Sequence, residues 1–178
     1  MSVVTPVLVL PGHGNSGRQH WQTLWQRRHP QWQRVNLGDW DRPVCDDWVR
    51  ALDVAVRACP SPPMLIAHSL ACLLVAHWAY RSTLVPKGAF LVAVPDPESA
   101  SFPAKARGFA PVPMRPHGFP SIVVASANDP FASSAFAQRC ANAWGSRFVE
   151  IGEAGHINAD SGHDEWNEGY AIFQELAG

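Results

Sequence analysis

Residues 64–80 read MLIAHSLACLLVAHWAY, and the fold turns on how this stretch divides. Met64 to Ala67 is a short apolar run set off by the prolines at 60, 62 and 63. Apolar residues resume at Leu70 and continue to Tyr80, enough for about three turns of helix. A strand that is apolar at every position is covered on both faces, as in a parallel sheet with helices above and below. His68 and Ser69 interrupt the apolar run where strand gives way to helix. Ligands of open parallel sheets bind beyond the carboxyl ends of the strands, so this polar pair is the first place to look for chemistry.

The same alternation extends in both directions. Val7 to Leu10 is an apolar run stopped by Pro11-Gly12, and Arg18 to Arg28 carries Trp21, Leu24 and Trp25 at helical spacing. Trp32 to Leu37 reads as strand, and the apolar positions 45, 48, 49, 52, 55, 56 and 59 trace one face of a helix over Val44 to Cys59. Strands follow at Ala89–Val94, Ser121–Ala125 and Arg147–Ile151. Helices follow at Ser133–Trp144, stopped by Gly145, and at Asp164–Leu176. Short strands alternating with longer helices imply βαβ units, an α/β fold and a mainly parallel sheet. Residues 94–120 stand apart: they hold seven of the sixteen prolines and form an irregular segment expected to cover the site.

Composition narrows the class of function. At 178 residues the chain is close to the about 150 residues of a typical domain, so one domain over residues 1–178 is expected. A content of 47% hydrophobic and 16% charged residues supports a sizeable core. A formal charge of −1 gives no footprint for nucleic acid or an anionic membrane. Arg18, Arg27, Arg28 and Arg34 lie among tryptophans, but Asp39, Asp41, Asp46 and Asp47 follow closely. Cys45, Cys59, Cys72 and Cys140 include no C-x-x-C pair, so neither a zinc site nor a disulfide framework is indicated. No basic n-region precedes the first strand, and the expected compartment is the cytoplasm.

The chemistry gathers at strand ends. Ala67-His68-Ser69-Leu70-Ala71 has the strand–turn–helix setting of a nucleophile elbow, with alanine at both positions where G-x-S-x-G has glycine. Ser126-Ala-Asn-Asp129-Pro130 follows another strand, and Gly152-Glu-Ala-Gly155-His156 follows the last. The order Ser69, Asp129, His156 is the α/β-hydrolase order of nucleophile, acid and base. A serine hydroxyl needs a base within hydrogen-bond reach, and the base needs a carboxylate to fix its tautomer. Asp96 also follows a strand and is a second candidate acid, while His163 is a second candidate base. His156, Asp160 and His163 could also be read as metal ligands, but their spacing matches no familiar zinc helix. The glycine-rich Pro11-Gly12-His13-Gly14 could supply a backbone donor to an oxyanion hole, with Leu70 as the other.

In these segments together the chain resembles the small serine hydrolases typified by the retinoblastoma-binding serine hydrolase, a compact branch of the α/β-hydrolase superfamily. The resemblance rests on Leu10-Pro-Gly-His13-Gly, His20-Trp21 with Trp25, Asp39-Trp40 with Pro43 and Trp48, and Ala67-His68-Ser69-Leu70. Phe119 to Pro130, Trp144-Gly145-Ser146, Gly155-His156-Ile-Asn158 and Ser161-Gly162 add to it. It implies an αβα sandwich of three layers without a large cap domain. It also implies Ser69 as nucleophile, Asp129 as acid and His156 as base, with no cofactor.

The expected activity is cleavage of an ester, thioester or amide through an acyl-enzyme. Leu70 with His13 or Gly14 would form the oxyanion hole. His68, Phe109 and Phe131 are the candidate pocket residues, and the expected partner is a small acyl substrate. The alternative is a binding or scaffold protein on a hydrolase fold. Retinoblastoma pockets recognise L-x-C-x-E, and the nearest string, Leu70-Ala-Cys-Leu-Leu74, lacks the glutamate.

Overall fold

Six strands make one sheet: β1 (Val7–Leu10), β2 (Gln33–Arg34), β3 (Met64–His68), β4 (Gly88–Val92), β5 (Ser121–Ala125) and β6 (Arg147–Glu150). The computed structural model describes residues 4–178. The strand order is β2-β1-β3-β4-β5-β6, and every neighbouring pair is parallel. The helices are α1 (Trp21–Arg28), α2 (Cys45–Ala58), α3 (Leu70–Arg81), α4 (Ser134–Trp144) and α5 (Asn167–Ala177).

The central strands are apolar throughout because each serves two cores. Leu8, Leu10, Leu65, Ala67, Leu91 and Val123 face a large cluster that contains Trp48 and Leu52 of α2, Leu73 and Trp78 of α3, and Trp144 of α4. The alternate residues Val7, Met64, Ile66, Phe90, Val92 and Val124 face a smaller cluster with Trp21 and Trp25 of α1 and Phe173 of α5. Side chains alternate across a strand, so two helical layers on one sheet require apolar residues at both parities. The result is the three-layer α/β arrangement expected.

Three boundaries move by three residues from the sequence reading, each for a local reason, and the others move by no more than two. The second strand shrinks to Gln33 and Arg34, paired only with Leu8 and Val9. Beyond them the chain leaves the sheet edge, and Val35 and Leu37 turn into the larger core. Helix α1 starts at Trp21 because His20 is its N-cap, with Nδ1 accepting the Gln22 N–H at 3.2 Å. Helix α5 starts at Asn167 because Trp166 adopts a left-handed conformation, φ 36°, and folds its ring over the helix. A Cβ on Gly169 would lie 2.2 Å from that ring, so glycine is required there.

The proline-rich segment 94–120 is tied down rather than loose. Cys45 N–H donates to Arg107 O, Arg107 N–H to Pro43 O, and Trp144 Nε1–H to Pro113 O. Phe109 and Phe119 are buried in the larger core.

Candidate active site

Ser69 lies between β3 and α3 with φ 57° and ψ −124°, a left-handed conformation rarely adopted by residues with a side chain. The strained turn lifts the hydroxyl above the carboxyl edge of the sheet and leaves the first N–H groups of α3 beside it. The surroundings must be small for this to fit. Ala67 and Ala71 are fully buried, and a Cβ on Gly12 would lie 2.8 Å from His68 O and 3.0 Å from Ser69 Cβ. The loop after β1 therefore passes directly against the elbow, as the parallel register of Leu10 beside Ala67 requires.

Ser69, His156 and Asp129 are joined in one hydrogen-bonded chain. Ser69 Oγ lies 2.8 Å from His156 Nε2, and His156 Nδ1 lies 2.9 and 3.0 Å from the two carboxylate oxygens of Asp129. The Asp129 side chain is 4% exposed, and its Oδ1 also accepts the Phe131 N–H at 2.9 Å. With Nδ1–H donated to the carboxylate, Nε2 is left to accept the serine proton. Such a chain can take a proton from the hydroxyl and stabilise the imidazolium that results.

The structure separates the alternative candidates from this chain. Asp96 makes a turn in which its Oδ1 accepts the Glu98 N–H, it donates its own N–H to Phe131 O, and it lines a different cavity. His163 bonds Ser161 Oγ at 3.1 Å. Among the described residues, no group of three or more His, Cys, Asp or Glu is placed to hold a metal ion.

A cavity of about 200 Å³ is lined by Ser69 and His156. Leu70, Pro95, Pro103 and Phe131 give it apolar walls, while His13, Asn15, His20, His68 and Asn158 give it polar ones. Segment 94–120 thus reaches this cavity through Pro95 and Pro103, and most of its length packs elsewhere. Phe109 does not line the cavity. It is 1% exposed and packs edge-on against Trp48 and His77, so its expected place in the pocket is corrected to a place in the core. Gly14 is corrected too, since its N–H donates to Trp40 O at 2.9 Å and is already committed.

Residues to which the sequence assigns no role of their own hold the site together. Ser126 Oγ accepts the Ala154 N–H at 2.9 Å, and Asn128 Oδ1 accepts the Gly155 N–H at 2.7 Å. Both cross-link the loop bearing Asp129 to the loop bearing His156. Trp21 Nε1–H donates to Ile157 O at 2.9 Å, which gives the His20-Trp21 pair a local role. Burial, then the Arg34 guanidinium and the His156 ring, push the His20 pKa down to about 3, so that ring is neutral.

The serine hydrolase family profile matches residues 7–175. This chain belongs to the serine hydrolase family. It is 34% identical to a YdeN-like hydrolase of Pectobacterium atrosepticum, with a TM-score of 0.85 over 97% of this chain and 90% of that one. The ydeN gene product of B. subtilis superposes with a TM-score of 0.80 at 18% identity, covering 97% of this chain and 98% of that one. A thermophilic esterase of Thermogutta terrifontis does so with 0.72 at 15% identity, over 99% and 91%. The last two likenesses show the fold alone, and all three agree with an α/β-hydrolase architecture. No curated protein sequence matches the chain. No helix among the described residues is long and apolar enough to cross a membrane.

Proposed function

We propose that this serine hydrolase cleaves carboxylic esters or related acyl bonds of small molecules in two steps. Ser69 is the nucleophile, His156 the general base and then acid, and Asp129 the group that orients His156. The observation that carries the reading is the unbroken hydrogen-bonded chain Ser69–His156–Asp129 at a strained elbow beside a cavity.

The substrate carbonyl carbon accepts the Ser69 oxygen while His156 Nε2 takes the hydroxyl proton. The negative charge that develops on the carbonyl oxygen is met by backbone N–H donors of Leu70 and His13. Leu70 opens α3, and His13 follows the glycine that abuts the elbow. His156 then returns the proton to the leaving alcohol, thiol or amine. Water attacks the acyl-enzyme by the same route in reverse roles and releases the acid. Phe131 and the two prolines would contact the apolar part of the substrate.

The test is a chain-length series of nitrophenyl esters, assayed with wild type and Ser69→Ala. Turnover that is strongest for short acyl chains, and that falls in the variant by at least about four orders of magnitude, is the expected result. Equal rates for the two proteins would overturn the assignment of Ser69, and a scaffold protein would give no turnover with any ester.

A further inference from the structure

We propose that His68 is a positioning residue: its Nε2–H, donated to the main-chain carbonyl of His156, fixes the base against Ser69. The proposal rests on the reading of Ser69 and His156 as nucleophile and base.

His68 ends β3 and immediately precedes Ser69, so it moves only with the elbow. The residue is 6% exposed, and its ring packs against those of His20 and His156, with centroids 4.6 and 4.9 Å away. Nε2 lies 2.9 Å from His156 O. A carbonyl can only accept, so Nε2 carries the proton. Burial above all, then the nearby His20 and His156, hold the His68 pKa well below its ordinary value, which leaves the ring neutral with a bare Nδ1. His68 lines the cavity, as expected of a candidate pocket residue, while its Nε2–H is engaged with the main chain of His156.

His156 needs such a restraint because of where it sits. It reaches Ser69 from the loop after β6, and β4 and β5 lie between β6 and β3. That loop has positive φ at Gly152, Gly155 and Ile157, and regular strand structure ends at Glu150. Ser126 and Asn128 hold its N–H groups at residues 154 and 155, while Trp21 holds the carbonyl of Ile157. His68 adds a tether on the main chain of residue 156, whose side chain is held by Asp129. A misplacement of about 1 Å can cost about a hundredfold in rate, so this bond governs turnover by holding the base in place. The neutral ring matters as well. A positive charge at that distance would oppose the imidazolium that forms during each step.

His68→Phe keeps a ring in the stack and removes the donor, whereas His68→Gln keeps an N–H at similar reach. With a nitrophenyl ester, the phenylalanine variant is expected to lose about tenfold to a hundredfold in kcat at nearly unchanged KM. The glutamine variant should recover most of that loss. ¹⁵N NMR of the wild-type protein at neutral pH should find His68 uncharged and protonated at Nε2, a readout available even if the phenylalanine variant fails to fold. A wild-type kcat in His68→Phe, a loss confined to KM, a glutamine variant no better than phenylalanine, or a proton on Nδ1 would each overturn the proposal. No turnover in the wild type would overturn the nucleophile-and-base reading and this proposal with it. Turnover lost in Ser69→Ala but indifferent to residue 68 overturns the proposal alone.

Discussion

The positive φ of Ser69 and the missing side chain of Gly12 are two halves of one device, because the elbow can be strained only where the neighbouring backbone comes close. Gly12→Ala should therefore displace the turn. The new methyl group would meet main-chain atoms, which have little freedom to move. A loss of about 1–3 kcal/mol in urea unfolding is expected, with kcat/KM reduced about tenfold or more. An alanine variant with wild-type kinetics would show that the early loop is not pressed against the elbow. At this scale Ser69, Asp129 and His156 were legible because each follows its own strand, and that needs only local patterns. Ser126 and Asn128 were not. Their partners lie 28 and 27 residues away, on a loop whose path no local pattern describes.

Elements were legible wherever periodicity ran long, as in α2 with its single apolar face, and failed where one side chain decides a boundary. His20 capping α1 and Trp166 folding back over α5 are such cases, since the deciding contact is tertiary. His117, just before β5, is another element-scale feature. It stacks between Phe119 and Trp144 with both ring nitrogens buried and unpartnered, and burial lowers its pKa from 6.5 to about 4. Below pH 6.5 the unfolded chain takes up a proton here that the folded chain refuses until about pH 4. Stability is thus lost as pH falls through that window. His117→Phe keeps the stack and removes the titration. Its Tm should match or exceed wild type at pH 7, and its decline between pH 6.5 and 4 should be shallower. Parallel Tm–pH curves for the two proteins would contradict this account.

The whole molecule places the three groups by strand order, which the sequence did not reveal. Periodicity marks a strand as buried and parallel, but neighbours are chosen by the crossovers between strands. Because β1 lies beside β3, the glycine loop meets the elbow, and because β6 lies three places away, a long tethered loop must carry His156 back. Segment 94–120 belongs to this scale too. Its prolines suggested a cover for the site, yet Phe109 is spent on the core beneath it. Phe109→Ala should cost about 3–5 kcal/mol in urea unfolding while leaving KM for a short ester unchanged. A raised KM at full stability would return Phe109 to the pocket. The central claim is that Ser69 is an activated nucleophile, and reaction with a fluorophosphonate probe tests it most directly. Wild type should be labelled covalently at Ser69 and Ser69→Ala should stay unlabelled, whereas equal labelling of both, or of neither, would contradict the account.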